Sequence, residues 1–147
     1  MNLREKLAKI QQELKAPKDK YNSFGKYNYR SAESILEALK PYNTKYNVSF
    51  GSSEKYLGDK IVEVTATIYD NESDDAIHAT AIVGVEKAGA MALPQAFGSA
   101  SSYGKKYAYG NLLLIDDTQD SDATNQRGET DRFKQPPGNS GGANLGF

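Results

Sequence analysis

Six of the ten tyrosines stand directly beside a lysine or arginine: Tyr21, Tyr27, Tyr29, Tyr46, Tyr56 and Tyr107. Eighteen basic residues scattered at random among 147 would place one beside about two of ten. A cation that holds a phosphate, next to an aromatic face that stacks on an unpaired base, is the combination that single-stranded nucleic acid asks for. The densest run is Lys20 and Tyr21 followed by Lys26, Tyr27, Asn28, Tyr29 and Arg30, in a stretch with no apolar period. Lys20, Tyr21, Lys26, Tyr27, Tyr29 and Arg30 are therefore candidate DNA contacts. A second cluster is Lys105 and Lys106, set among Ser99, Ser102 and the glycines Gly98 and Gly104. Hydroxyls and cations beside closely approachable backbone suit phosphate.

Other chemistries fit less well. Gly98 to Lys106 imitates a phosphate-binding loop, but five residues rather than four separate its glycines, and Lys106 takes the place of the magnesium-binding hydroxyl. An ATPase is rejected on that ground. Asp120, Asp122 and Asp131 match a calcium loop only loosely, because the turn glycine and the closing glutamate are missing. The chain has no cysteine and His78 is its one histidine, so disulfides, thiol nucleophiles and Cys- or His-rich metal sites within one chain are excluded. No carboxylate sits in an apolar setting that marks a general acid or base, and no acidic constellation suggests a metal nuclease. No catalytic residue, metal or cofactor is expected.

The elements that must position these residues follow from periodicity. Leu3, Leu7, Ile10 and Leu14 form one stripe of a helix ending near Ala16 and Pro17. A second helix starts after Ser31, a good N-cap, with Ala32, Ile35, Leu36 and Leu39 on one face, and Pro41 ends or kinks it. The tyrosine-rich stretch between them reads as a loop or a short irregular strand. Val48 to Ser52, Lys60 to Asp70 and Ala76 to Glu86 read as three strands, with turns at Leu57-Gly58-Asp59 and at Asn71 to Asp75. Val62, Val64, Ala66 and Ile68 alternate to one side, as do Ile77, Ala79, Ala81, Val83 and Val85, with Glu63, Thr65, Thr67, His78 and Thr80 opposite. A final helix begins near Pro94 and runs to about Leu112. At about 100° per residue, Ala96, Ala100, Gly104, Tyr107 and Ala108 group as its inward side, while Gln95, Ser99, Ser102 and Lys106 group opposite, with Lys105 at the margin. Tyr107 is accordingly expected as half-buried packing.

The expected fold class is α+β: a three-stranded antiparallel meander packed on a long helix, a βββα core, with N-terminal helices and a disordered acidic tail. The domain boundary falls at 1–117 against a Gly- and Asp-rich tail at 118–147, which has almost no core-forming residues. Net charge is −1 overall but uneven. Residues 1–30 carry six Lys and two Arg against three acids, whereas residues 116–147 carry three basic and six acidic groups. No apolar run approaches the ~20 residues of a membrane span, so a soluble, intracellular protein without membrane contact is expected.

The segment Gln95-Ala-Phe-Gly-Ser-Ala-Ser-Ser-Tyr-Gly-Lys-Lys-Tyr-Ala-Tyr-Gly-Asn-Leu-Leu-Leu-Ile115-Asp-Asp resembles the signature of the Erf (essential recombination function) single-strand annealing proteins of bacteriophages. In those, a Gly-Ser-Ala…Ser-Tyr-Ala-Arg-Arg-Tyr-Ala helix precedes Leu-Leu-Gly-Ile and an acidic stretch. Phe24-Gly-Lys-Tyr-Asn-Tyr-Arg-Ser-Ala-Glu-Ser-Ile-Leu-Glu-Ala-Leu-Lys-Pro41 is similar to the family's other recurring segment, so the resemblance spans residues 1–117. The chain departs from the pattern at three places: Lys105 and Lys106 replace two arginines, Gly104 an alanine, and Leu114 the glycine before Ile115. Set beside the family pattern, the resemblance implies a chain short for the family and an expected absence of its separate C-terminal domain.

The resemblance implies ATP-independent annealing of complementary single-stranded DNA in phage recombination, by a homo-oligomeric ring or filament in the bacterial host cytoplasm. A single-strand binding protein or exonuclease of host or phage is the implied partner. The alternative is a single-strand-binding accessory that recruits replication proteins through its tail, and a metal nuclease ranks third.

Overall fold

The computed structural model describes residues 1–87 and 89–115. The tail at 118–147, with Asp120, Asp122 and Asp131, lies outside the described residues. In chain order the elements are α1 (Leu3–Glu13), β1 (Lys20–Asn22), β2 (Tyr27–Tyr29), α2 (Ala32–Tyr46), β3 (Val48–Gly58), β4 (Ile61–Asp70), β5 (Ala76–Gly84) and α3 (Leu93–Leu113). The sheet is the expected antiparallel meander in the order β3-β4-β5, and α3 packs across β4 and β5. The fold is thus α+β with the anticipated βββα core. β1 and β2 form a separate two-stranded hairpin.

Alternation decides which side of the sheet is covered. Val62, Val64, Ala66 and Ile68 are buried, and they join Leu3, Leu7, Ile10, Ile35, Leu39, Val48, Ala108, Leu112 and Leu113 in one core. On the other side Thr67 and His78 are register partners, with Thr67 Oγ1 2.7 Å from His78 Nδ1. Thr67 is buried there although its pattern reads as outward, while His78 is exposed as expected.

Three local expectations change. Pro41 does not end α2, because the helix continues to Tyr46. Proline removes one helical hydrogen bond, to the Glu37 carbonyl, and Pro41 is exposed, so water can serve that group. Beyond it Tyr42 and Tyr46 pack on the core, and Glu13 of α1 accepts from Lys45 Nζ and Tyr46 Oη, each at 2.7 Å. β3 runs to Gly58 rather than Ser52, pairing along nearly the whole of β4. Its last residues are exposed, so no apolar alternation announces them. The β3–β4 turn consists of Asp59 and Lys60, both at positive φ, with the register shifting between Tyr56 and Gly58. That is the two-residue turn whose twist matches paired strands.

A charge that the apolar stripe of α1 conceals ties that helix to the sheet. Lys6 is 3% exposed, and its Nζ donates to Asp70 Oδ1 at 2.9 Å and to Glu72. Asp70 also accepts from the Glu72 backbone at 3.0 Å. Hydrogen bonds from Lys6 hold the Asp70 and Glu72 carboxyls below their ordinary range, and those carboxylates, Glu72 first, raise Lys6. A carboxylate depressed in the folded state contributes stability above its unfolded pKa that is lost as pH falls through the folded value. We therefore expect thermal stability to decline as pH drops below about 4, and Asp70→Asn to be less stable at pH 7 while showing a shallower acid decline. Melting curves between pH 7 and pH 2 check both.

Candidate nucleic-acid interface

The helix α3 carries no acidic residue in its 21 positions and two adjacent lysines. Pro94 sits in its first turn, where a missing N–H costs nothing, and Gln95 Oε1 accepts from the Ala92 N–H at 3.1 Å. Ala96, Ala100, Gly104 and Ala108 are buried at four-residue spacing. Their small size lets the backbone lie close on the sheet. At Gly104 an added Cβ would lie 2.2 Å from Val64 Cγ2 and 3.4 Å from Val83 Cγ2, so the glycine that costs helix propensity is what the packing requires here. The helix ends in Leu114 at φ 58, whose N–H bonds to the Gly110 carbonyl. This left-handed position favours glycine, which explains why the resemblance places a glycine there.

Tyr107 is not on the packed side. It is 45% exposed and stacks on Tyr103, with ring centroids 6.5 Å apart and planes at 18°. The buried aromatic is Tyr109, 3% exposed, its hydroxyl pKa raised by burial. The expectation failed for a geometric reason. A row spaced by four residues advances about 40° around the helix at each step, so the inward direction set by Ala96 and Ala100 has turned away by the level of Ala108. Tyr107 shares its angle with Ala100 two turns earlier, not with Ala108.

The hairpin of β1 and β2 supplies the second half of the surface. Its register pairs Lys20 with Tyr29, Tyr21 with Asn28 and Asn22 with Tyr27. Tyr27 and Tyr29 therefore share one face with Lys20, and Tyr21 points to the other. The two rings meet edge to face with centroids 6.1 Å apart. Lys106 Nζ lies 5.6 Å from the centroid of the Tyr29 ring, a cation–π distance. Residues 77 positions apart in sequence are thereby brought together.

Arg30 takes a structural place instead. It is 8% exposed and its Nε donates to the Ala16 carbonyl at 2.7 Å, anchoring the hairpin base to the segment after α1. Ser34 Oγ donates to Asp19 at 2.9 Å and braces the same base. Lys20, Tyr21 and Lys26 are exposed, and Lys105 and Lys106 half-buried. Ser102 and Ser99 stand one and two turns from Lys106 along α3. Tyr46 and Tyr56 serve elsewhere, Tyr46 on Glu13 and Tyr56 edge-on to Phe97 at 5.9 Å.

Sequence reasoning missed Tyr103 as a surface aromatic. The signal was the i, i+4 spacing of Tyr103 and Tyr107 beside the lysines. Among the described residues no group of three or more His, Asp or Glu side chains is placed to hold a metal ion, and no helix is long and apolar enough to cross a membrane.

A family model described as the ERF superfamily matches residues 3–141. Over 118 residues the chain is 44% identical to the "Essential recombination function protein" of Salmonella phage P22, covering 80% of this chain and 57% of that protein. The chain thus matches little more than half the length of that relative. No solved structure matches.

Tyr109→Ala should cost about 3–5 kcal/mol, as expected for emptying a buried aromatic site, whereas Tyr107→Ala should change stability by less than ~1 kcal/mol. Chemical denaturation of the two variants measures the difference.

Proposed function

The chain belongs to the ERF superfamily, and from that premise we propose that it binds single-stranded DNA and anneals complementary strands without ATP during phage recombination. The observation that carries this reading is the seat of Lys106 on Tyr29. It brings a lysine of the acid-free helix α3 against the tyrosine-lysine hairpin.

The chemistry needed is non-covalent. Lys105, Lys106, Lys20 and Lys26 neutralise phosphates, the hydroxyls of Ser99 and Ser102 add neutral phosphate contacts, and Tyr27, Tyr29, Tyr103 and Tyr107 offer faces on which bases stack. Tyr21 contributes from the other face of the hairpin. Contacts of this kind hold the backbone and stacking faces while leaving the Watson–Crick edges open, so the incoming strand does the sequence reading. No residue has to form or break a bond, and no cofactor is required.

Residues 1–115 hold 15 basic against 13 acidic groups, a small excess for a polyanion ligand. Repetition of the surface in a ring or filament of identical subunits supplies the rest, since each subunit then needs few contacts for the array to hold a long strand. A single-strand binding protein or exonuclease of phage or host would deliver the strands to be annealed.

The test is annealing of two complementary fluorophore- and quencher-labelled oligonucleotides without nucleotide or metal. The protein should accelerate quenching over the spontaneous rate. Lys105→Ala/Lys106→Ala should slow it and reduce the salt slope of single-strand binding by about 0.7 per lost phosphate contact. Tight binding without acceleration would contradict annealing and favour an accessory role, and cleavage of the strands on adding magnesium would point to a nuclease.

A further inference from the structure

Among the described residues the most exposed large apolar side chain is Phe24, 97% exposed, in the turn between β1 and β2. Hydrogen bonds close the turn around it. Asn22 Oδ1 accepts from both the Phe24 and Gly25 N–H groups at 2.9 Å, and the Lys26 N–H donates to the Asn22 carbonyl at 2.7 Å. Asn22 Nδ2 donates to Tyr27 Oη at 3.2 Å. Lys26 adopts φ 57, and the Tyr27 ring lies so close to the turn that a Cβ on Gly25 would be 2.3 Å from Tyr27 Cε1. Backbone groups and neighbouring side chains at the tip are thus tied down while the phenyl ring is held out in water. An ordinary turn has no use for a large apolar side chain there.

The surroundings indicate what the ring meets. Residues 20–30 contain Lys20, Lys26 and Arg30 and no acid. An exposed aromatic ring in an acid-free hairpin whose Lys20 and Lys26 are also exposed complements a strand of phosphates with unpaired bases better than an apolar protein surface, which would have to desolvate the lysines.

Resting on the single-strand reading above, we propose that Phe24 is a base-stacking wedge: the hairpin tip seats its ring against an unpaired base of the bound strand while Lys26 and Lys20 hold the flanking phosphates. The wedge fixes where bases sit relative to the cation track on α3. It adds affinity for bases and none for the backbone alone.

The experiment compares the full chain with Phe24→Ala and Phe24→Trp on two probes of equal length and charge, an oligothymidylate and a wholly abasic strand, at several salt concentrations. Phe24→Ala should bind oligothymidylate about ten-fold or more weakly, with unchanged salt slope, unchanged affinity for the abasic strand and an unchanged melting curve. Phe24→Trp should restore binding. Wild-type affinity in Phe24→Ala, or equal losses on both probes, would overturn the wedge while leaving single-strand binding intact. Loss of the multimer in sedimentation would overturn it in favour of a contact between subunits. Failure of the wild-type chain to bind oligothymidylate at all would overturn the wedge together with the function it rests on.

Discussion

Ala96, Ala100, Gly104 and Ala108 place almost no side chain between the axis of α3 and the sheet, and the use of the helix's other side follows from that closeness. The tightest point is Gly104, where an added Cβ would meet Val64 within 2.2 Å. Val64 is β-branched and fully buried on the central strand, so it cannot swing aside without disturbing its neighbours. A helix held this near needs few large apolar residues along its first three turns. Ser99, Ser102, Tyr103, Lys105 and Lys106 are thereby left free for a surface role, and the heavier anchoring falls to Tyr109, Leu112 and Leu113 at the C-terminal end.

The same economy governs the N-terminal hairpin. Three-residue strands bury little and are marginal alone, so the hairpin depends on what grips its ends. Arg30 on the Ala16 carbonyl and Asp19 on Ser34 fix its base, and Lys106 over Tyr29 fixes its face. The cation–π seat is therefore both a packing contact and a part of the proposed interface.

Much of this was legible in the sequence, and the parts that were not share a physical cause. Alternation in β4 and β5 marked the covered side of the sheet, with Thr67 the exception, because a strand buried on one face has no freedom of register. The end of β3 gave no signal, since residues exposed on both faces obey no apolar pattern. Tyr107 was misplaced because a helical projection carries no information about the twist of the surface beneath it, and Lys6 because an apolar stripe does not reveal a partner, Asp70, that lies 64 residues away. Arg30 looked like its neighbouring cations by composition. Only the fold shows that it faces inward while Lys20 and Lys26 face solvent.

If α3 and the hairpin act as one surface toward a single strand, amide hydrogen exchange with and without oligothymidylate registers both elements at once. Added DNA should slow exchange in two separated segments together, residues 20–30 and residues 99–107, with the open side of the sheet unchanged. Protection confined to one of those segments, or falling instead on the β3–β4 hairpin around Tyr56 and Lys60, would contradict a shared surface.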